Sequence, residues 1–269
     1  MPEERLEQGI GNLLTGAYEK ENGVVVVDRK ATGVSRIGDR GDSIKDIVPR
    51  GWLFYVQFLK EFYFLRKINH DDVVVDLGCG TAALLEKIYR NGIKCTYIGI
   101  DISRKSLEKR AHLLEKFDRA ALVQADFSGG IPIKDKVVDI VICSEVIEHF
   151  PVDSGKQLLG EIRRILKDGG KVLLTTSCST GEALPGHLKE YSFGELEKML
   201  VDYGFNIVGA FGLYVRDHDL LNPEEKLVFE NLRGFYPASF LRSVLALNHP
   251  HESPSYMIEA ESCGGVVKG

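Results

Sequence analysis

Residues 73–81 read Val-Val-Val-Asp-Leu-Gly-Cys-Gly-Thr, and no other run constrains the fold as strongly. Three β-branched residues in succession, without alternation, predict a strand buried on both faces, as in a parallel sheet. Asp76 closes the apolar run. Gly78-Cys79-Gly80 then makes a turn whose bare backbone admits a ligand at close range. A helix-like segment opens at Thr81 and runs to Tyr89. Strand, glycine turn and helix N-terminus in this order form a seat for a polar, nucleoside-bearing cofactor.

The chain around this run keeps the same rhythm from residue 71 to about residue 214. Candidate strands at 73–77, 95–100, 120–124, 137–143, 171–176 and 205–214 alternate with candidate helices at 81–90, 103–117, 154–167 and 192–203. That alternation predicts a parallel sheet covered on both faces. The third helix is expected to stop at Lys167-Asp168-Gly169-Gly170, and the fourth to open on a Ser192/Glu195 capping box. Two more strands are tipped with acid. Asp101 follows Gly99-Ile100, about 20 residues beyond the glycine loop, where a carboxylate suits a ribose diol. Asp126, followed by Phe127, closes the 120–124 strand.

In order and spacing, Asp76 before Gly78-Cys79-Gly80, Asp101, and Asp126-Phe127 resemble the motifs of class I S-adenosylmethionine-dependent methyltransferases over about residues 70–215. The resemblance implies a seven-stranded, mostly parallel, doubly wound α/β sheet with one antiparallel strand, for which Ser255 to Glu261 is the candidate. It divides the chain into an N-terminal extension or cap, 1–70, and a methyltransferase domain, 71–269, with an insertion at about 215–254. The extension holds a Val-rich segment, 24–27, and an amphipathic helix, 51–68. The insertion holds helix-like pieces at 223–233 and 237–247. Both are expected to cover substrate, to shield the sheet, or to do both. The implied cofactor is S-adenosylmethionine. Asp76 would lie near its methionine ammonium, with Gly78, Cys79 and Gly80 as the loop beneath it. Asp101 would accept from the ribose, and Ile102 would pack on the adenine. Asp126 and the Phe127 backbone would address the base edge, and Ser144 would border the methionine moiety.

The fourth strand runs into Ser144-Glu145-Val146-Ile147-Glu148-His149. Were this a helical turn, Glu145, Glu148 and His149 would share one face, and His187 in the loop after the fifth strand could reach them. The pattern is similar to the metal site of small-RNA 3′-terminal 2′-O-methyltransferases and to the matching region of ubiquinone-biosynthesis O-methyltransferases. It implies a divalent cation such as Mg²⁺ or Mn²⁺ on Glu145, Glu148, His149 and His187. Two other roles stand open: a metal-free catalytic group in which His149 is the base beside Glu145 and His187, or a structural pairing.

Composition narrows the class. With 44% hydrophobic and 27% charged residues the chain is ordinary for a globular protein, and a net charge of −5 gives no general grip on a polyanion. A nucleic-acid acceptor would have to use a local surface, for which Arg36, Arg40, Arg50, Arg66 and Lys67 are the candidates. Five cysteines without a Cys-x-x-Cys pair fit a reducing, cytoplasmic setting. No apolar leader opens the sequence, and the stretch from Trp52 to Ile68 is too polar to span a bilayer. The expected acceptor is a small-molecule or sugar hydroxyl, with oxygen favoured over nitrogen by the candidate base cluster and by the lack of an Asn/Asp-Pro-Pro-Tyr/Phe motif. A non-catalytic cofactor-binding regulator would have no need of Glu145, Glu148 and His149. A nicotinamide oxidoreductase is disfavoured by the short glycine motif and by the Asp126-Phe127 turn, although Ala83 is a tolerated replacement for a third glycine.

Overall fold

The computed structural model describes residues 10–16, 18–21, 23–27, 50–178, 184–215 and 220–264. Its backbone is one sheet. Strands β3 (Val73–Leu77), β4 (Thr96–Asp101), β5 (Ala120–Gln124), β6 (Val138–Ser144) and β7 (Leu166–Ser177) run parallel, with β3 central. β9 (Ser255–Ser262) lies antiparallel between β7 and β8 (Phe205–Gly212). These seven strands take the order β5-β4-β3-β6-β7-β9-β8.

The described sheet nevertheless has nine strands, not seven. The Val-rich segment is β2 (Val24–Val27), in a hairpin with β1 (Tyr18–Glu21), and β2 runs parallel to β5 with Val25 opposite Val123. Val24 and Val25 are buried. The hairpin covers the β5 edge, whose backbone groups would otherwise stand unpaired, so this part of the extension belongs to the sheet.

Helices line both faces. Leu158 and Ile162 of α4 (Val152–Ile165) and Leu196 of α5 (Phe193–Asp202) share one core with Val75, Ile98 and Val141. On the other face, Val56 and Phe64 of α1 (Arg50–Lys67) and Leu85 of α2 (Ala83–Arg90) belong with Val74, Tyr97 and Ile142. Burying one such aliphatic side chain stabilises by roughly 1.5–3 kcal/mol, so the two layers carry most of the fold's stability. The insertion forms α6 (Pro223–Leu232) and α7 (Ala238–Leu245) around its own small cluster of Leu221, Phe229 and Leu241.

Some boundaries depart from expectation. The expected 81–90 helix starts at Ala83, because Ala82 sits in the left-handed region at φ 53°. The expected 103–117 helix is a five-residue α3 (Arg104–Glu108), and a 3₁₀ turn at Ala111–Glu115 follows it. α4 stops at Ile165, not at the glycine pair, because Leu166 is already extended and paired with Val138. Gly169, at φ 78°, and Gly170 instead occupy the irregular stretch of β7 where its register on β6 shifts. A Cβ on Gly170 would lie 3.1 Å from the Val138 carbonyl, so the close strand approach explains the glycine there. The Ser192/Glu195 capping box forms as read.

Candidate active site

The carboxyl ends of β3 to β6 surround a cleft of about 280 Å³. Gly78, Asp101, Ile102, Asp126 and Phe127 line one side, and Glu145, Val146, His149 and Phe150 the other. Ligands bind at this edge of open α/β sheets.

The first side is backbone held by carboxylates. Gly78 and Gly80 have φ of 66° and 54°, which glycine tolerates without strain. Asp101 Oδ2 accepts from the Gly80 amide and Oδ1 from the Ser103 amide, both at 2.8 Å. It thereby fixes the loop and keeps lone pairs on both oxygens for a diol. Asp126 Oδ1 accepts from the Ser128 amide at 2.9 Å, and Ile102 is 49% exposed at the cleft. Cys79 lies beneath the loop: a Cβ on Gly99 would fall 2.8 Å from its Sγ. Asp76 is 6% exposed and accepts from the Tyr97 hydroxyl at 2.6 Å. Burial pushes its carboxyl up to about 7, the Asp101 charge adds to that, and the Tyr97 bond opposes it.

The second side is made of side chains from distant segments. The helical turn expected over 145–149 does not form. Glu145 takes φ 55°, and only Ile147–His149 makes a 3₁₀ turn. The three residues therefore do not share a face. Glu145 turns toward β7 and α1, accepting from Thr175 Oγ1 at 2.9 Å, Ser177 Oγ at 2.8 Å and Lys60 Nζ at 3.3 Å. Burial alone would raise this carboxyl, but Lys60 and the two hydroxyls outweigh it and hold the group below the ordinary carboxylate range. Ser144 Oγ pairs with Thr175 Oγ1 at 2.9 Å.

Glu148, His149 and His187 do converge, with one ligand atom from each within 4.8 Å of the others. The two rings stand edge to face, with centroids 5.1 Å apart. His149 Nδ1 donates to the Gly186 carbonyl at 2.9 Å, and His187 Nδ1 donates to Glu190 Oε1 at 2.7 Å. Both tethers leave Nε2 as the nitrogen with an available lone pair. Glu148 is fully buried; Oε2 accepts from Thr176 Oγ1 at 2.9 Å, and Oε1 has no partner. Burial first, and the Glu145 charge second, lift Glu148 well above the usual carboxylate range.

Lys60, Thr175, Ser177 and Glu190 were not anticipated from the sequence. Lys60 left a legible trace: it is the one charge on the inward face Val56, Lys60, Phe64, Ile68, spaced four residues apart. The hydroxyls of β7 left none. Of the basic residues considered for phosphate contact, Arg36, Arg40 and the Arg50 side chain lie outside the described residues. Lys67 is bound to the buried Glu259 at 2.7 Å, and Arg66 lies over the Phe62 ring. No helix among the described residues is long and apolar enough to cross a membrane.

Comparison with known proteins agrees with this layout. A curated relative, a ubiquinone biosynthesis O-methyltransferase of Vibrio cholerae, is 28% identical over an alignment of 169 residues that covers 58% of this chain and 64% of the relative's length. Among solved structures, the [4+2]-cyclase SpnF superposes with a TM-score of 0.57 at 19% identity, covering 77% of this chain and 81% of that one. A Haemonchus contortus phosphoethanolamine N-methyltransferase, solved with S-adenosylhomocysteine, gives 0.55 at 19% identity, covering 81% of this chain and 54% of its own. The family described as "Methyltransferase domain" matches residues 68–205, just over half of the 269. With its glycine loop, its acid-tipped strands and its antiparallel β9 all in the family's arrangement, the chain belongs to the class I S-adenosylmethionine-dependent methyltransferases.

Proposed function

We propose that this protein transfers the methyl group of S-adenosylmethionine to a hydroxyl of a small molecule or sugar. The reading rests chiefly on Glu148, His149 and His187, whose ligand atoms converge behind the second side of the cleft where His149 lines it, beside the place where the donor's methionine end would lie. Fold likeness would not suffice, since one neighbour is described as a cyclase. The likeness to O-methyltransferases supports oxygen as the acceptor atom. Asp101 would take the ribose diol, Asp126 and Phe127 the adenine edge, and Asp76 the region of the ammonium. Methyl transfer is an in-line displacement, so the protein must mainly hold the oxygen against the sulfonium and exclude water.

The chemistry of the second side fits a divalent cation. Two imidazoles with their Nδ1–H groups tethered, and a buried carboxylate oxygen without a partner, are donors awaiting a common acceptor of lone pairs. Two nitrogens and one oxygen favour a transition ion such as Mn²⁺ over Mg²⁺, which prefers all-oxygen shells. Bound there, the ion would lower the acceptor hydroxyl's pKa. Although its charge acts on Glu148, Glu145 is not one of the three converging ligands. Its carboxylate, fixed by Lys60 and two hydroxyls, would orient the acceptor or receive its proton.

The test has two stages. S-adenosylhomocysteine should bind by calorimetry while NAD does not; NAD binding without S-adenosylhomocysteine binding refutes the reading. Methyl transfer to hydroxylated acceptors should then be lost with a chelator and restored by Mn²⁺. Turnover indifferent to the chelator would leave His149 as a metal-free base.

A further inference from the structure

Two cations from elements outside the family core stand behind the Glu145 side of the cleft with fewer partners than their burial requires; Lys60 reaches the lining through Glu145. Lys60 of α1 is 6% exposed and meets Glu145 at 3.3 Å. Arg242 of α7 is half-buried, and its Nη1 donates to the Tyr214 hydroxyl at 3.4 Å. Its Nε is buried with no acceptor, and no carboxylate among the described residues pairs with it. A guanidinium cannot shed its proton, so a buried N–H of this kind is a standing cost unless a ligand supplies the acceptor.

The strand register brings the two together. α1 runs antiparallel to β8: Lys67 and Tyr63 reach Glu259, the partner of Gly209, and the Tyr63 ring meets Phe211 at 5.0 Å. One helical turn earlier, a rise of about 4.5 Å or one to two strand residues, Lys60 comes level with Gly212 and Leu213, and Tyr214 follows directly. The Leu213 amide donates to the Ser255 carbonyl, Ser255 is the register partner of Ser177, and Ser177 Oγ donates to Glu145. Lys60, Glu145, Tyr214 and Arg242 thus share one corner of the sheet edge.

We propose that this corner is an anion subsite for the methyl acceptor, in which Arg242, assisted by Lys60, binds a carboxylate carried by the hydroxyl-bearing substrate. Two cations against the one carboxylate of Glu145 leave a single positive charge, which matches a monoanion better than a phosphate dianion. The planar guanidinium fork also takes a carboxylate through two parallel bonds. The inference rests on the methyltransferase reading and narrows its substrate class.

The test uses the full-length protein saturated with S-adenosylhomocysteine and titrated with 3,4-dihydroxybenzoate or its uncharged amide. The acid should bind on the order of tenfold to a hundredfold more tightly than the amide, the range for a hydrogen-bonded charge. Arg242→Gln should erase that preference, Arg242→Lys should keep part of it, and Lys60→Met should reduce it. S-adenosylhomocysteine affinity should be unchanged in all three variants, which also shows that they fold. Equal binding of acid and amide to the unmodified protein overturns the inference, as does a preference that survives Arg242→Gln. Stronger competition by inorganic phosphate than by benzoate overturns the carboxylate assignment. If the unmodified protein failed to bind S-adenosylhomocysteine, the parent reading would fall with it.

Discussion

Between β3 and β5 the carboxyl edge of the sheet is made of backbone, and between β6 and β7 it is made of side chains. On the first side Gly78 and Gly80 expose peptide groups, and the Asp101 carboxylate that would hold a ligand also ties down the loop. On the second side Glu145 is fixed from α1 and β7, and His187 is held by Glu190 from its own loop. The first side is local in sequence and suited to a cofactor that does not vary. The second draws on segments more than 80 residues apart, as in the 85-residue separation of Lys60 and Glu145, and can be re-specified without disturbing the first.

Four measurements would break or sharpen this contrast. Replacing His149 or His187 with Ala should lower turnover by roughly 10²–10⁴-fold, the scale of a lost proton-transfer or metal-ligand group, with S-adenosylhomocysteine affinity nearly intact. Equal losses of both would show that the two sides are not separable. Gly78→Ala should disturb both, because its Cβ would lie 2.5 Å from Val146 Cγ2 and its φ is 66°. A loss of about 2 kcal/mol or more in denaturant unfolding is expected, and adding Val146→Ala should recover the overlap but not the backbone strain. Asp101→Ala should weaken donor binding by roughly 1–3 kcal/mol in calorimetry. Unchanged affinity would remove Asp101 from the ribose role.

The smallest effect concerns pH. With Asp76 raised from 3.8 to about 7, the ligand-free protein carries its proton below neutrality. A cationic donor favours the carboxylate, so binding must expel that proton. S-adenosylmethionine affinity should therefore fall by up to about tenfold per pH unit below pH 7 and level off above it. The same shift makes the free protein lose stability as pH rises from about 4 to about 7. Asp76→Asn should flatten the affinity profile; a profile that keeps its slope would place the titrating group elsewhere.

The local side was legible because its signals lie within a few residues: Val73–Val75 for a doubly buried strand, Gly78 and Gly80 for the turn, and Asp101 and Asp126 at strand tips. The other side was legible only as residue types. Glu145, Glu148 and His149 were read as one helical face because spacing carries no information about a left-handed residue. The αL backbone at Glu145 is imposed by β7, whose Thr175 carbonyl accepts the Glu145 amide at 2.9 Å. Tertiary contact likewise decided that the Gly169-Gly170 pair serves a strand irregularity and not a helix end. The hairpin on the β5 edge went unread because four valines declare a strand without naming its neighbour.

The position of β9 has a consequence for biosynthesis. Residues 255–262 lie between β7 and β8, yet they leave the ribosome after both. Until then the nascent chain holds two strand edges that cannot pair with each other, because the gap between them belongs to a segment not yet translated. Closure of the sheet waits for that late segment, and in the interval the growing polypeptide is most exposed to misassociation.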